Sequence, residues 1–136
     1  MTMTTLRTMV YDAGALIAAE RNQSTLWRLH RSYLTAGGVP VVPSPVVAQV
    51  WRNGARQAAL ARLLQGCDVL PLDDALARRV GELLGHADVV DPVDGAVALI
   101  SARTSATVIT SDPGDIQRLL DHLGRAGKRA TVKPLH

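Results

Sequence analysis

Four aspartates, Asp12, Asp94, Asp112 and Asp115, stand where a fold could gather them into one piece of chemistry. Asp12 ends the apolar run Thr8-Met9-Val10-Tyr11 and precedes Ala13–Arg21, a stretch rich in Ala, Leu and Ile. Asp112 closes the run Thr107-Val108-Ile109-Thr110-Ser111, and Asp115 lies one helical turn beyond it. Asp94 falls in the first turn of a helix ahead of the Thr107–Thr110 run. In an open parallel sheet, ligands bind outside the carboxyl ends of the strands. If the two strands are neighbours, Asp12 and Asp112 share one edge of the sheet. Converging carboxylates repel and raise one another's pKa values, a penalty that a hard divalent cation removes. Magnesium prefers oxygen ligands, keeps several waters and takes one or two carboxylates directly. Such an ion activates a water and stabilises the leaving oxygen in phosphodiester cleavage.

A plainer reading of the same residues is helix capping. Asp91-Pro92-Val93-Asp94 and Asp112-Pro113-Gly114-Asp115 repeat one pattern, with Asp as N-cap, Pro at the first position and Asp at the third. On that view Asp91 and Asp112 are caps, and Asp94 and Asp115 complement the helix dipole. Asp12 resists it better, because Ala-Gly-Ala-Leu after it offers no evident pairing partner.

Positioning these acids requires strands that feed helices. Thr8–Tyr11 leads into a helix over Ala13–Arg21, and a second helix covers Ser24–Thr35. Val39–Val42 precedes Pro43-Ser44-Pro45, where Ser44 is an expected N-cap and Pro45 the first helical residue. Val46, Val47, Val50 and Trp51 follow at helical spacing. A helix near Gln57–Gln65, a short strand at Val69–Leu70 and a helix over Asp73–Leu84 fill the middle. Thr107–Thr110 feeds a helix over Gly114–Leu123, and the residues around Val132 supply a last edge strand. Strands alternating with helices predict an α/β fold with a mainly parallel sheet covered on both faces. No linker or low-complexity tract interrupts it, so residues 1–136 read as a single domain.

Composition narrows the function. Hydrophobic residues at 47% and charged residues at 20% describe a globular chain and exclude disorder. Cys67 is the only cysteine, which excludes an internal disulfide or a multi-thiolate zinc site and fits a reducing compartment. The one apolar stretch near the start contains Asp12, so neither a signal peptide nor a membrane span is expected, and the protein should be cytoplasmic. The net charge is +3, and only Lys128 and Lys133 among the fifteen basic residues are lysines. Arginine is the better phosphate fork, which suits a nucleic acid or an acidic protein, though an ordinary solvated surface explains it equally well.

His30, His86, His122 and His136 show no pairing that suggests a metal site, and Ser101 and Ser105 lack a nearby base. Cys67 reads as a small buried hydrophobe. Trp27 and Trp51 are expected on apolar helix faces. With no Phe, and only Tyr11 and Tyr33 beside them, a base-stacking platform is not expected. No phosphate-binding glycine loop or dinucleotide fingerprint occurs.

Across nearly the whole chain these residues resemble the PIN-domain family, and within it the VapC-type toxins of bacterial toxin–antitoxin pairs. Val10-Tyr11-Asp12-Ala13 resembles its opening strand and first acid, and Ser44-Pro45-Val46-Val47-Ala48-Gln49-Val50-Trp51-Arg52 its second motif. Val93-Asp94-Gly95-Ala96 through Leu99-Ile100 resembles the helix carrying the third acid. Thr110-Ser111-Asp112-Pro113-Gly114-Asp115 is similar to the Thr-Ser-Asp-x-x-Asp signature, the most specific piece. Asp94 rather than Asp91 takes the third-acid place by its separation from Asp112. Asp91 is left as a cap or an outer acid.

The resemblance implies a PIN-like three-layer fold, a homodimer, and Mg²⁺ or Mn²⁺ held by Asp12, Asp94 and Asp112, with Asp115 completing the catalytic set. It implies cleavage of RNA phosphodiesters, and a small antitoxin whose tail covers the site. Thr110 and Ser111 would orient the phosphate or a water, and Arg52 would contact RNA phosphate unless it forms a surface salt bridge. The departure is Gln49, where the second motif usually carries Glu. Gln still offers hydrogen bonds but no charge, so weaker metal affinity or altered water positioning is implied. The competing reading is a weakened module that binds RNA or an antitoxin without cleaving. A receiver-like phosphoacceptor, which also clusters acids at strand ends, expects adjacent acids after the first strand. Here Asp12 is followed by Ala13-Gly14.

Overall fold

The computed structural model describes residues 6–135. Among them, five strands form one parallel sheet: β1 (Met9–Tyr11), β2 (Val41–Pro43), β3 (Asp68–Leu70), β4 (Thr107–Thr110) and β5 (Thr131–Pro134), in the order β3-β2-β1-β4-β5. Helices α1 (Ala13–Glu20), α2 (Ser24–Thr35), α3 (Ser44–Val50), α4 (Ala58–Gln65), α5 (Asp74–Ala87), α6 (Pro92–Thr104), α7 (Pro113–Asp121) and α8 (Gly124–Lys128) flank it. A single 3-10 turn, Gly54–Arg56, joins α3 to α4. This is the α/β architecture expected from alternating strands and helices. No helix among the described residues is long and apolar enough to cross a membrane.

All three residues of β1 are buried, as a central strand covered on both faces requires. Tyr11 pairs with Ile109 across the β1–β4 ladder, and the Asp12 amide donates to the Ile109 carbonyl at 3.1 Å. The ladder therefore extends one residue past the strand and brings Asp12 alongside Thr110. The neighbour relation that the site needs is present.

Helix α6 is apolar on every side. Asp94 through Ala102 are all buried, because α6 packs against α5, α7 and α8 while also touching β1 and α3. A helix buried all round has no polar stripe to show. Leu16, Leu26, Leu60, Leu63, Ile116, Leu119 and Leu120 fill the rest of the core. Each such burial stabilises the fold by roughly 1.5–3 kcal/mol, so the frame has strength to hold crowded charge.

Several boundaries differ from the sequence reading. Val39 is 55% exposed and the second strand begins at Val41, where pairing with Asp68 begins. Ser44 is not a cap: Pro43 holds that position, and the Ser44 hydroxyl accepts from the Leu72 amide at 3.0 Å, tying α3 to the segment after β3. Helix α5 runs on to Ala87 and stops where Asp88 turns left-handed, at φ 55°. The expected Gly114–Leu123 helix ends at Asp121, and Gly124, at φ +60°, opens the separate helix α8.

Candidate active site

The site grows from the carboxyl ends of β1 and β4. Asp12 sits at the N-cap of α1, and its Oδ1 accepts from the Ala13 amide at 2.7 Å. Its Oδ2 accepts from the Thr110 hydroxyl at 2.8 Å, and that hydroxyl accepts from the Asp112 amide at 2.9 Å. Thus Asp12 does cap its helix, contrary to the sequence reading, and the partner that local sequence could not reveal lies 98 residues away. Burial raises the Asp12 pKa first, with the charge of Asp91 adding to it, while Ala13 and Thr110 pull the other way.

Close approach is possible because residue 14 is glycine. A Cβ there would lie 2.2 Å from the Ser111 Oγ and 2.8 Å from the Ser111 backbone nitrogen. The first turn of α1 therefore rests directly on the Thr110–Asp112 loop. Thr110 is fully buried, its hydroxyl committed to Asp12 and Asp112, whereas Ser111 is exposed.

Asp94 enters from α6. Asp91 caps that helix as expected, accepting from the Val93 amide at 2.8 Å. Asp94 is buried and makes no side-chain hydrogen bond among the described residues. Burial, then the negative charges of Asp91, Asp12, Asp112 and Asp115, push its pKa up to about 7. Asp112 occupies the N-cap position of α7 without making a side-chain cap bond. Its carboxyl is raised by partial desolvation and then by Asp115.

One carboxylate oxygen from each of Asp94, Asp112 and Asp115 lies within 4.8 Å of the others. Asp12 stands outside that trio, although its charge acts on both Asp94 and Asp112. No arginine or lysine neutralises the cluster: Arg78–Asp74, at 3.1 Å on α5, is the one ion pair among the described residues. Hard oxygen donors without thiolate or imidazole suit Mg²⁺ or Mn²⁺, and the uncompensated charge and raised pKa values are what such an ion would relieve. The residues present fit a divalent cation.

Gln49 is exposed on α3 and lines a groove that also contains Ala13, the residue after Asp12. Arg52 lies beyond the end of α3, and its Nη1 donates to the carbonyls of Ala48 (3.1 Å) and Trp51 (2.7 Å). It forms no salt bridge among the described residues. Trp51 is likewise not on a helix face; it is the C-cap residue of α3 and is 37% exposed.

Sequence reasoning missed Gln57. Its side chain is buried, and its Oε1 accepts from the amides of Arg52 (2.8 Å) and Asn53 (3.1 Å). Its Nε2 donates to the Val50 carbonyl (2.9 Å) and to Glu20 Oε1 (3.1 Å). A glutamine just before an apolar helix carries no local sign of this.

Other candidates have structural roles. His30 is buried, with Nδ1 2.8 Å from the Tyr11 hydroxyl, and burial lowers its pKa. Trp27 donates to the Ala19 carbonyl at 3.2 Å and lies under Arg62. Burial pushes the half-buried Cys67 thiol up to about 12, far from a nucleophilic thiolate. His122 Nδ1 is 2.9 Å from the Arg118 carbonyl. His136 lies outside the described residues.

Comparison with known proteins agrees with this frame. The PIN domain family model matches residues 9–120. The chain is similar in fold to VapBC2 from Rickettsia felis bound to a DNA fragment from its promoter, with a TM-score of 0.69 and 12% identity over 93% of this chain and 98% of that one. It is also similar to FitAB bound to the IR36 DNA fragment, with a TM-score of 0.60 and 16% identity over 94% and 95% of the two chains. No curated protein matches it by sequence. The family match begins at β1, ends in α7 and takes in all four clustered or coupled aspartates: the chain belongs to the PIN domain family.

Proposed function

We propose that this protein is a divalent-metal-dependent endoribonuclease, the toxin of a toxin–antitoxin pair. The observation that carries the reading is the convergence of Asp94, Asp112 and Asp115, with no ion pair to a basic side chain among the described residues, beside the hydrogen-bonded Asp12. PIN domains are generally nucleases, and Mg²⁺ or Mn²⁺ held by these acids would supply Lewis acidity to the phosphodiester and a lowered pKa to the attacking water. The protein's own contribution is positional. Asp94 brings its carboxylate on a buried helix; Thr110 holds Asp12 and the Asp112 amide in one chain of hydrogen bonds. Ser111 is the exposed hydroxyl at the edge, free to orient a phosphate oxygen. A cognate antitoxin fits the likeness to VapBC2 and FitAB, while a homodimer is proposed only from the resemblance to VapC-type toxins. A cytoplasmic setting fits the lone free Cys67.

Asp94→Asn and Asp12→Asn should each lower Mg²⁺-dependent RNA cleavage at least about a hundredfold, with the circular dichroism spectrum unchanged. If both variants cut as fast as the parent, the acidic-site assignment fails. Gln49 favours a second reading, a PIN module that binds RNA or antitoxin without cutting. Gln49→Glu discriminates: cleavage gained from none marks a degraded site, whereas a parent that already cuts rules that reading out.

A further inference from the structure

A second polar surface begins one residue from Asp12. Ala13, Ile17, Glu20, Arg21, Gln49, Val50 and Arg52 line a groove of about 460 Å³. A second hollow of about 420 Å³ shares Glu20, Val50 and Arg52 with it and continues to Asn53, Arg56 and Gln57. The two form one track that starts at Ala13, the residue after Asp12, with Arg21, Arg52 and Arg56 along it.

None of these arginines makes an ion pair among the described residues, although Glu20 lies in the same track. Gln57 accounts for part of this, because its Nε2 donates to Glu20 Oε1 and occupies that carboxylate oxygen. The same glutamine clasps the amides of Arg52 and Asn53, so the turn carrying Arg52 is held in place. Arg21 and Arg56 make no side-chain hydrogen bond among the described residues, and Arg52 spends only Nη1, on carbonyls of its own turn. Three guanidinium groups without a carboxylate partner, in a groove adjoining a carboxylate-rich centre, match an alternation of phosphates more than one compact anion.

We propose that this groove seats the RNA backbone flanking the scissile phosphodiester, through Arg21, Arg52 and Arg56. The proposal rests on the ribonuclease reading for its choice of polyanion, and its test measures binding without cleavage. The full chain, in EDTA, is titrated into a fluorescently labelled single-stranded RNA, and anisotropy is followed from about 50 to about 200 mM NaCl. Each phosphate neutralised on a single strand contributes about 0.7 to the slope of log affinity against log salt. Arg21→Ala/Arg52→Ala/Arg56→Ala should make that slope shallower by about 2 and weaken binding at least about tenfold at the lowest salt.

Arg21→Ala/Arg56→Ala leaves the Arg52 bonds to Ala48 and Trp51 intact and guards against a misfolded triple variant; its slope should fall by more than about 1. Arg78→Ala/Arg79→Ala on α5 removes the same charge elsewhere and should change the slope little. The proposal is overturned if the groove variants bind RNA with the parent's slope, or if the α5 control loses as much. It is also overturned if poly-glutamate binds in an arginine-dependent way while RNA does not. Arginine-dependent RNA binding by a parent that cuts no RNA supports the groove and removes only the ribonuclease reading.

Discussion

Two polar regions of this protein, each centred on a buried side chain, are built on opposite rules. Around Gln57 both atoms of a buried amide find two partners each: Arg52, Asn53, Val50 and Glu20 take all four hydrogen bonds. At the strand ends, Asp94 is buried without a hydrogen bond among the described residues, beside four further acids, Asp91, Asp12, Asp112 and Asp115, that raise its pKa. A satisfied network rigidifies, whereas a frustrated one waits for a partner from outside. Good local chemistry at Gln57 thus marks a structural joint, and the uncompensated charge at Asp94 is what the proposed metal site would relieve.

That contrast can be broken at three points. Truncating the joint should cost most. Gln57→Ala strands the amides of Arg52 and Asn53 and the Val50 carbonyl, so urea titration should show a loss of about 3 kcal/mol. A loss under about 1 kcal/mol would mean that water replaces the amide without penalty, and the region is no joint.

Relieving the frustrated region should have the opposite sign. The Asp94 carboxyl rises from the ordinary aspartate range to about 7, so without metal its favourable, protonated state is complete below about pH 4 and is lost as pH climbs through 7. Asp94→Asn should therefore be more stable than the parent at pH 8 by about 2 kcal/mol, and equal to it near pH 4. Added Mg²⁺ should raise the parent's melting temperature and leave that of Asp94→Asn unchanged. A parent whose stability is flat from pH 4 to about 8 in EDTA would remove the electrostatic frustration from the account.

The smallest effect sharpens the boundary between the regions. Thr110 belongs to the acidic edge, but its hydroxyl behaves like Gln57, matching Asp12 on one side and the Asp112 amide on the other. Thr110→Val should cost about 1 kcal/mol of stability by thermal melt, and Thr110→Ser should restore most of it. If valine is silent, the hydroxyl chain does not hold the acids in register.

The sequence carried the acidic edge well and the joint not at all. Tyr11-Asp12 and Thr110-Ser111-Asp112 announce strand ends because an apolar run stops at an acid before a helix. The β1–β4 pairing makes those two ends neighbours. Asp91 was legible as a cap because its N–H partner is two residues away. Gln57 was not, because its Glu20 partner is 37 residues distant and no periodicity encodes a side chain folded back on its own turn. Trp51 misled for a related reason. Its spacing continues the apolar stripe of Val46, Val47 and Val50, but the helix ends at Val50 and leaves the ring at the rim. The break before α8 turns on one left-handed glycine within a continuous helical pattern.

The uninterrupted burial of α6 has a consequence in time. Nine consecutive residues shielded from solvent leave this helix few routes to open short of disrupting the core, so its amides should be among the slowest in the protein to exchange with deuterium. The short 3-10 turn Gly54–Arg56, mostly exposed, should exchange by local opening, while the neighbouring Arg52 and Asn53 amides are protected by Gln57. The acid at the base of the site then keeps the clock of whole-domain unfolding, while the basic rim keeps a faster one.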